Sequence, residues 1–365
     1  GNLPRNNPNN QERRLKRIVV KLGTGILSAG EGRIHLDRMI RLAEGIKGLR
    51  SSGIETILVS SGAVGLGMGK LALVERPKDL SLLRACASIG QCQLMSAWSE
   101  AMESVGLMAS QVLLTREDFG SRERSQKVQE TLSALLGKGV VPVVNENDSV
   151  SDEEIKFGDN DVLSALLASL GKSEMLVILS TAKGLMTHPE AGSLIPFVAE
   201  ITPSIEEMAQ GTSSKTAVGG MTTKIEAAKI ATKSGCAVFI GSGENPQDLG
   251  KIVNGQAEGT FFSPSGLELN ERKKALQLYL RGVAASLEGA APPLALLEFL
   301  GFAAIAVHPE GPDQPIVDGR DEARGDHRVR LRAAKAARRV LGVAALPQGP
   351  RDGKYDRTRT CTHTR

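Results

Sequence analysis

Four short segments concentrate residue types that bind anions and cations. The first is Lys21-Leu22-Gly23-Thr24-Gly25, where a lysine at the end of an apolar run can set an ammonium over phosphate. The glycines after it let backbone N–H groups approach the same anion. The second is Ser60-Ser61-Gly62-Ala63-Val64-Gly65-Leu66-Gly67-Met68-Gly69, read as a loop whose N–H donors and two hydroxyls suit a carboxylate or phosphate oxygen. It fits neither the dinucleotide fingerprint nor the Walker A loop, because the third glycine and the Gly-Lys-Ser/Thr ending are missing. The third runs from Asn145-Glu146-Asn147-Asp148 to Gly158-Asp159-Asn160-Asp161. A single Asp before a helix is ordinarily an N-cap. Carboxylates and amides this dense instead suit a ligand carrying both an ammonium and a carboxylate. The fourth is Val218-Gly219-Gly220-Met221-Thr222-Thr223-Lys224, two glycines, two hydroxyls and a lysine opening an Ala-rich segment. A lysine in a first helical turn opposes the helix dipole, a cost that a bound phosphate reverses.

These segments punctuate a regular alternation. Apolar runs at 18–21, 56–60, 111–115, 140–145, 176–180 and 237–240 read as buried strands. Amphipathic stretches near 36–51, 79–104, 122–137, 161–170, 204–210 and 223–234 read as helices. Buried strands alternating with helices imply an α/β fold, a mostly parallel central sheet covered on both faces. Ligands of such sheets bind beyond the carboxyl ends of the strands, where the unusual residues cluster.

Composition narrows the function. The chain has 365 residues, 41% hydrophobic and only 3% aromatic, with 40 glycines. Few aromatics argue against nucleic-acid binding by base stacking. The net charge of +4 lies entirely in residues 281–365, so residues 1–280 carry no basic footprint. The four cysteines and five histidines form no zinc pattern, and the cysteines no disulfide framework, which fits a reducing cytoplasm. No apolar run reaches a membrane span and no signal peptide opens the chain. Residues 1–14, rich in Asn and Pro, read as a disordered tail. The segment 271–365 is basic and biased to Ala, Arg and Pro; 328–341 reads either as a basic amphipathic helix or as a compositionally biased stretch.

Taken in order, Val-Lys-Leu-Gly-Thr at 20–24, Val-Ser-Ser-Gly-Ala at 59–63, Leu-Leu-Thr-Arg at 113–116, Asn-Glu-Asn-Asp at 145–148, Phe-Gly-Asp-Asn-Asp-Val-Leu-Ser-Ala at 157–165 and Gly-Gly-Met-Thr-Thr-Lys at 219–224 resemble the amino-acid kinase family. The resemblance covers about residues 17–269. Within the family it points to the branch whose acceptor is the γ-carboxylate of L-glutamate, the first step of proline biosynthesis. It implies a three-layer αβα sandwich over 15–270, with ATP and Mg²⁺ as cofactors. It implies that Lys21 and Lys224 neutralise the transferring phosphoryl group, and that Asp159 holds both lysines. Asp148 and Asn160 would receive the amino-acid end of glutamate, beside Asn145, Ser61 and Gly62. Ser180 and Thr181 would border the nucleotide, with Val218, Gly219, Gly220, Met221, Thr222, Thr223 and Lys224 around its phosphates. A homo-oligomer and proline as feedback inhibitor belong to the same resemblance.

Three departures accompany it. The family's Thr-Asp pair is Ser180-Thr181 here, which removes an acidic contact to the nucleotide. A non-catalytic nucleotide or amino-acid sensor on the same scaffold is therefore the competing function. The family's Arg-Xaa-Arg-Tyr-Xaa-Asn stretch is Arg122-Glu123-Arg124-Ser125-Gln126-Lys127, and no PUA domain is recognisable after residue 270.

Overall fold

The computed structural model describes residues 15–30, 32–150, 160–188, 192–210 and 220–265. The N-terminal tail, residues 151–159, residues 211–219 and the segment after 265 lie outside them, and with them the expectations placed there. The described elements run β1 (Arg17–Leu22), α1 (Thr24–Leu27), α2 (Leu36–Ser51), β2 (Glu55–Ser60), α3 (Ala63–Lys70), α4 (Leu80–Ser104), β3 (Met108–Leu114), α5 (Glu117–Gly120), α6 (Arg122–Gly137), β4 (Val140–Glu146), α7 (Asn160–Leu170), β5 (Met175–Ser180), β6 (Phe197–Val198), α8 (Pro203–Gln210), α9 (Met221–Lys233), β7 (Ala237–Ser242), α10 (Leu249–Val253) and β8 (Gly259–Phe262).

The eight strands form one sheet in the order β3-β4-β2-β1-β5-β7-β8-β6. All pairings are parallel except β7 with β8. Strand β1 is central. The chain moves from it to β2, β4 and β3 on one side and to β5 and β7 on the other, which makes its carboxyl end a topological switch point.

Strand side chains alternate between faces, so the sheet divides the core in two. On one face Ile18, Val20, Leu22, Val177 and Leu179 pack with Leu42 and Ile46 of α2 and Trp98 of α4. On the other Val19, Val59, Leu176 and Ile178 pack with Leu132 of α6, Leu163 and Leu167 of α7 and Ile225 and Ala228 of α9. Helices cover both faces, the three-layer arrangement that the alternation implies.

The glycine-rich stretch after β2 differs from its sequence reading. Residues 63–70 are helix α3, with Gly62 at its N-cap in the left-handed region, φ 112°. Gly65, Gly67 and Gly69 are therefore helical rather than a phosphate-binding loop. The reason is packing. A Cβ on Gly67 would overlap the Cys86 carbonyl of α4, and one on Gly90 of α4 would overlap the Ala63 carbonyl. Two glycines facing each other let α3 and α4 cross at backbone contact, which offsets the poor helix propensity of glycine.

Candidate functional site

Lys21 occupies a position where strand alternation calls for an apolar residue. It shares a face with Val19, yet its side chain is 4% exposed. A lone buried ammonium is costly, so a partner has to accompany it. Asp161, in the first turn of α7, supplies one, with its Oδ1 2.5 Å from Lys21 Nζ. Its Oδ2 accepts a hydrogen bond from Lys224 Nζ at 2.9 Å and one from the Thr223 hydroxyl at 3.3 Å, both from the first turn of α9. Burial alone would raise the Asp161 pKa, but the two ammonium groups outweigh it and hold the carboxyl below its ordinary value. The α7 N-terminus adds to this. The cluster brings two ammonium groups together at the carboxyl end of β1, a place suited to an anionic ligand.

Asp161 thus bridges the two lysines, a contact that the sequence reading did not assign to it; the expectation for Asp159 falls on a residue outside the described ones. Asp161 continues the buried stripe Ser164, Ala165 and Ala168 back by one turn. That stripe was the available signal.

On the β2–β4 side, Asn160 Nδ2 lies 3.1 Å from the Ser60 carbonyl, 2.8 Å from Ser61 Oγ and 2.9 Å from Asn145 Oδ1. Its Oδ1 is buried and has no donor among the described residues. Asn145, at the end of β4, is buried and donates through Nδ2 to Gln91 Oε1 of α4 at 2.9 Å. Trp98 of α4 donates to the Ser60 hydroxyl at 2.9 Å and pins the end of β2. Ser61, Gly62, Asn145 and Asn160 are therefore gathered as expected. Asp148 lies three residues past Asn145; burial raises its pKa, with the Arg76 guanidinium acting against that. Burial and the neighbouring Asp148 push the Glu146 carboxyl up to about 7. Glu146 belongs to the Asn145–Asp148 segment but was given no role of its own, and Gln91 was not singled out from the sequence, because a lone Gln on a helix carries no spacing signal.

On the β5–β7 side, Ser180 ends β5 beside the Lys21 segment. Gly23 N–H donates to the Leu179 carbonyl at 2.9 Å, and Gly243 N–H to the Ser180 carbonyl at 2.9 Å. A Cβ on Gly25 would stand 3.0 Å from Thr181 Cγ2, so the glycine keeps the two segments close. Thr181 is exposed. Gly220 caps α9 without a side-chain bond, the Thr222 hydroxyl donates to the Ala209 carbonyl at 3.3 Å, and Met221 is buried. Val218 and Gly219 lie outside the described residues.

All these groups stand at the carboxyl ends of β4, β2, β1 and β5 or at the starts of α7 and α9, on one rim of the sheet. The Amino acid kinase family model matches residues 16–242 of this chain. The chain belongs to the amino acid kinase family. Among curated relatives, the glutamate 5-kinase of Deinococcus radiodurans is 44% identical over 263 residues, covering 71% of this chain and 72% of that protein. The glutamate 5-kinase of Syntrophotalea carbinolica is 45% identical over 264 residues, covering 71% and 70%. Among solved structures, a carbamate kinase from Giardia lamblia bound to AMP-PNP superposes with a TM-score of 0.50 at 15% identity, covering 68% of this chain and 98% of that one. That likeness is one of fold. No helix among the described residues is long and apolar enough to cross a membrane, and Cys86, Cys92 and Cys236 are free thiols.

Proposed function

We propose that this amino acid kinase transfers the γ-phosphoryl group of ATP to the γ-carboxylate of L-glutamate, giving γ-glutamyl phosphate for proline biosynthesis. The observation that carries the reading is the buried Lys21–Asp161–Lys224 cluster at the switch point of the sheet, which brings two ammonium groups to one place. The relatives' common activity supports the choice of acceptor.

The chemistry asks little else of the protein. A glutamate carboxylate oxygen attacks the γ-phosphorus, the bond from phosphorus to the bridging oxygen breaks, and the electron pair leaves on ADP. A carboxylate is already a nucleophile, so no general base is needed; positioning and charge stabilisation carry the step. Lys21 and Lys224 face charge that develops on the transferring group, and Asp161 holds both in place. Among the described residues no group of acidic, His or Cys side chains could hold a metal ion, and both Asp161 oxygens face lysines. Mg²⁺ would be held mainly by the phosphate oxygens of ATP and by water, and would supply further neutralisation of phosphate charge.

In this reading Asp148 and Asn160 take the amino-acid end of glutamate beside Ser61, Gly62 and Asn145. Ser180, Thr181 and residues 218–224 line the nucleotide. The kinase unit is residues 15–270, and proline inhibition and a homo-oligomer belong to it as regulation and assembly. Glutamate-dependent ADP release, with aspartate and acetylglutamate as controls, tests the reaction; equal turnover of all three would overturn the acceptor. Asp148→Ala should raise the glutamate KM by roughly 30-fold or more, as expected when a partner of a desolvated ammonium is removed, and leave the ATP KM near wild type. A rise confined to ATP would remove Asp148 from the acceptor site.

A further inference from the structure

Four side-chain amides from three elements and the edge of the sheet form one hydrogen-bonded row. Asn160 donates to Asn145, Asn145 to Gln91, and Gln91 Nε2 to Gln111 Oε1 on the edge strand β3 at 2.9 Å. An amide can turn by 180° and exchange its donor for its acceptor, so a row of amides has two senses. Two backbone groups fix the sense here. The Ser60 carbonyl can only accept, so the Asn160 NH₂ must face it. The Glu146 N–H can only donate, at 2.9 Å, so the Asn145 oxygen must face it. Asn145 Nδ2 is then turned outward, and an acceptor on α4 is required; Gln91 Oε1 meets that requirement. The row ends at Asn160 Oδ1, a buried acceptor without a donor among the described residues.

We infer that Gln91 is a positioning residue for the acceptor site: by accepting from Asn145 it locks the row in the sense that presents the Asn160 carbonyl oxygen to the α-ammonium of the amino-acid substrate. The inference rests on the glutamate reading of this site and adds how the site distinguishes an amino acid from a plain dicarboxylate. Gln91 is half-buried and touches neither the lysine cluster nor the nucleotide side in any of its hydrogen bonds. Ser88, one turn earlier on α4, holds Ser149 at 2.8 Å, so the same helix face also braces the loop that carries Asp148.

The test compares Gln91→Met, which keeps the shape and removes the amide, with Gln91→Glu, which keeps the acceptor, loses the donor to Gln111 and introduces a carboxyl group. Steady-state kinetics of the full chain would give kcat and both KM values, and glutarate, which lacks the α-amino group, would be measured as a competitive inhibitor. Gln91→Met should raise the glutamate KM roughly tenfold, the cost of one unmet buried hydrogen bond. The ATP KM, the kcat and the glutarate inhibition constant should stay within about twofold, and Gln91→Glu should recover most of the glutamate KM. Gln111→Met, at the exposed end of the row, should move the glutamate KM the same way by less, and replaces Gln91→Met should that variant not fold. A wild-type glutamate KM in the Met variants, equal impairment by Met and Glu at 91, or an equal loss of glutarate binding would overturn the inference while leaving the reaction standing. A wild-type protein that does not phosphorylate glutamate would overturn both.

Discussion

Arg17 and Lys21 stand at opposite ends of β1 and point to the same face of the sheet, and each pairs with a carboxylate. Arg17 meets Glu55 at 2.7 Å, with the two side chains 22% and 39% exposed, and its guanidinium also donates to the Gly171 carbonyl at 2.8 Å. Nearby, Glu174 accepts the Lys16 and Arg17 N–H groups. At this end the paired charges balance, water reaches them, and their bonds tie strand starts together. Lys21 meets a carboxylate that is fully buried and shared with a second lysine. A wet, balanced pair contributes little and contributes it to stability. A dry cluster is retained at a cost, and its two ammonium groups are what a phosphoryl group can use. The difference separates the structural end of the sheet from the chemical end.

The sharpest way to break this contrast is Asp161→Asn. It removes the carboxylate that both buried ammonium groups share, so unfolding free energy should fall by about 3–5 kcal/mol and kcat by well over about 100-fold. Denaturant melts and ADP release measure the two effects; a stable variant would mean that the lysines find other partners. Lys21→Met or Lys224→Met should lower kcat at least about 100-fold with little change in glutamate KM, because the lost contact acts mainly in the transition state. Each should cost less stability than Asp161→Asn, since one lysine still neutralises the carboxylate. Wild-type kcat in either variant would remove that lysine from the mechanism.

Glu146 sharpens the comparison through pH. Its pKa stands at about 7 in the folded protein against 4.5 ordinarily, so between these values the folded state binds more protons than the unfolded one. Its contribution to stability is therefore greatest below about pH 4.5 and declines as pH rises through 7. Glu146→Gln should remove that decline and raise the melting temperature more at pH 8 than at pH 5. A shift of equal size at both would show that the carboxyl is not strained in the fold. The smallest effect is expected at the other end of β1: Arg17→Ala should cost about 1 kcal/mol of stability, with kcat unchanged. A large loss of activity would erase the distinction between the two ends.

Much of the chain could be read before folding because the signal is local. Six strands were recognisable as runs of apolar, β-branched residues, and each has a strand in its place. Strands β6 and β8, of two and four residues, exist only through pairing with each other and with β7, and no short-range pattern announces that. Helix α3 was read as a loop because glycine weakens a helix on its own; only the close approach of α4 accounts for its glycines. The lysines, amides and hydroxyls of the site were legible because polar groups at the ends of buried strands are conspicuous. That Asp161 reaches both lysines depends on how α7 is rotated about its axis, and packing of Leu163 and Leu167 against the sheet sets that angle. Sequence alone determined the layered α/β class, the rim on which the chemistry sits and the kinds of charge gathered there. Tertiary structure decided the Lys21–Asp161–Lys224 geometry and the sense of the Gln91–Asn145–Asn160 row. Each includes a contact between residues more than 50 positions apart, whose relative orientation no local preference can encode.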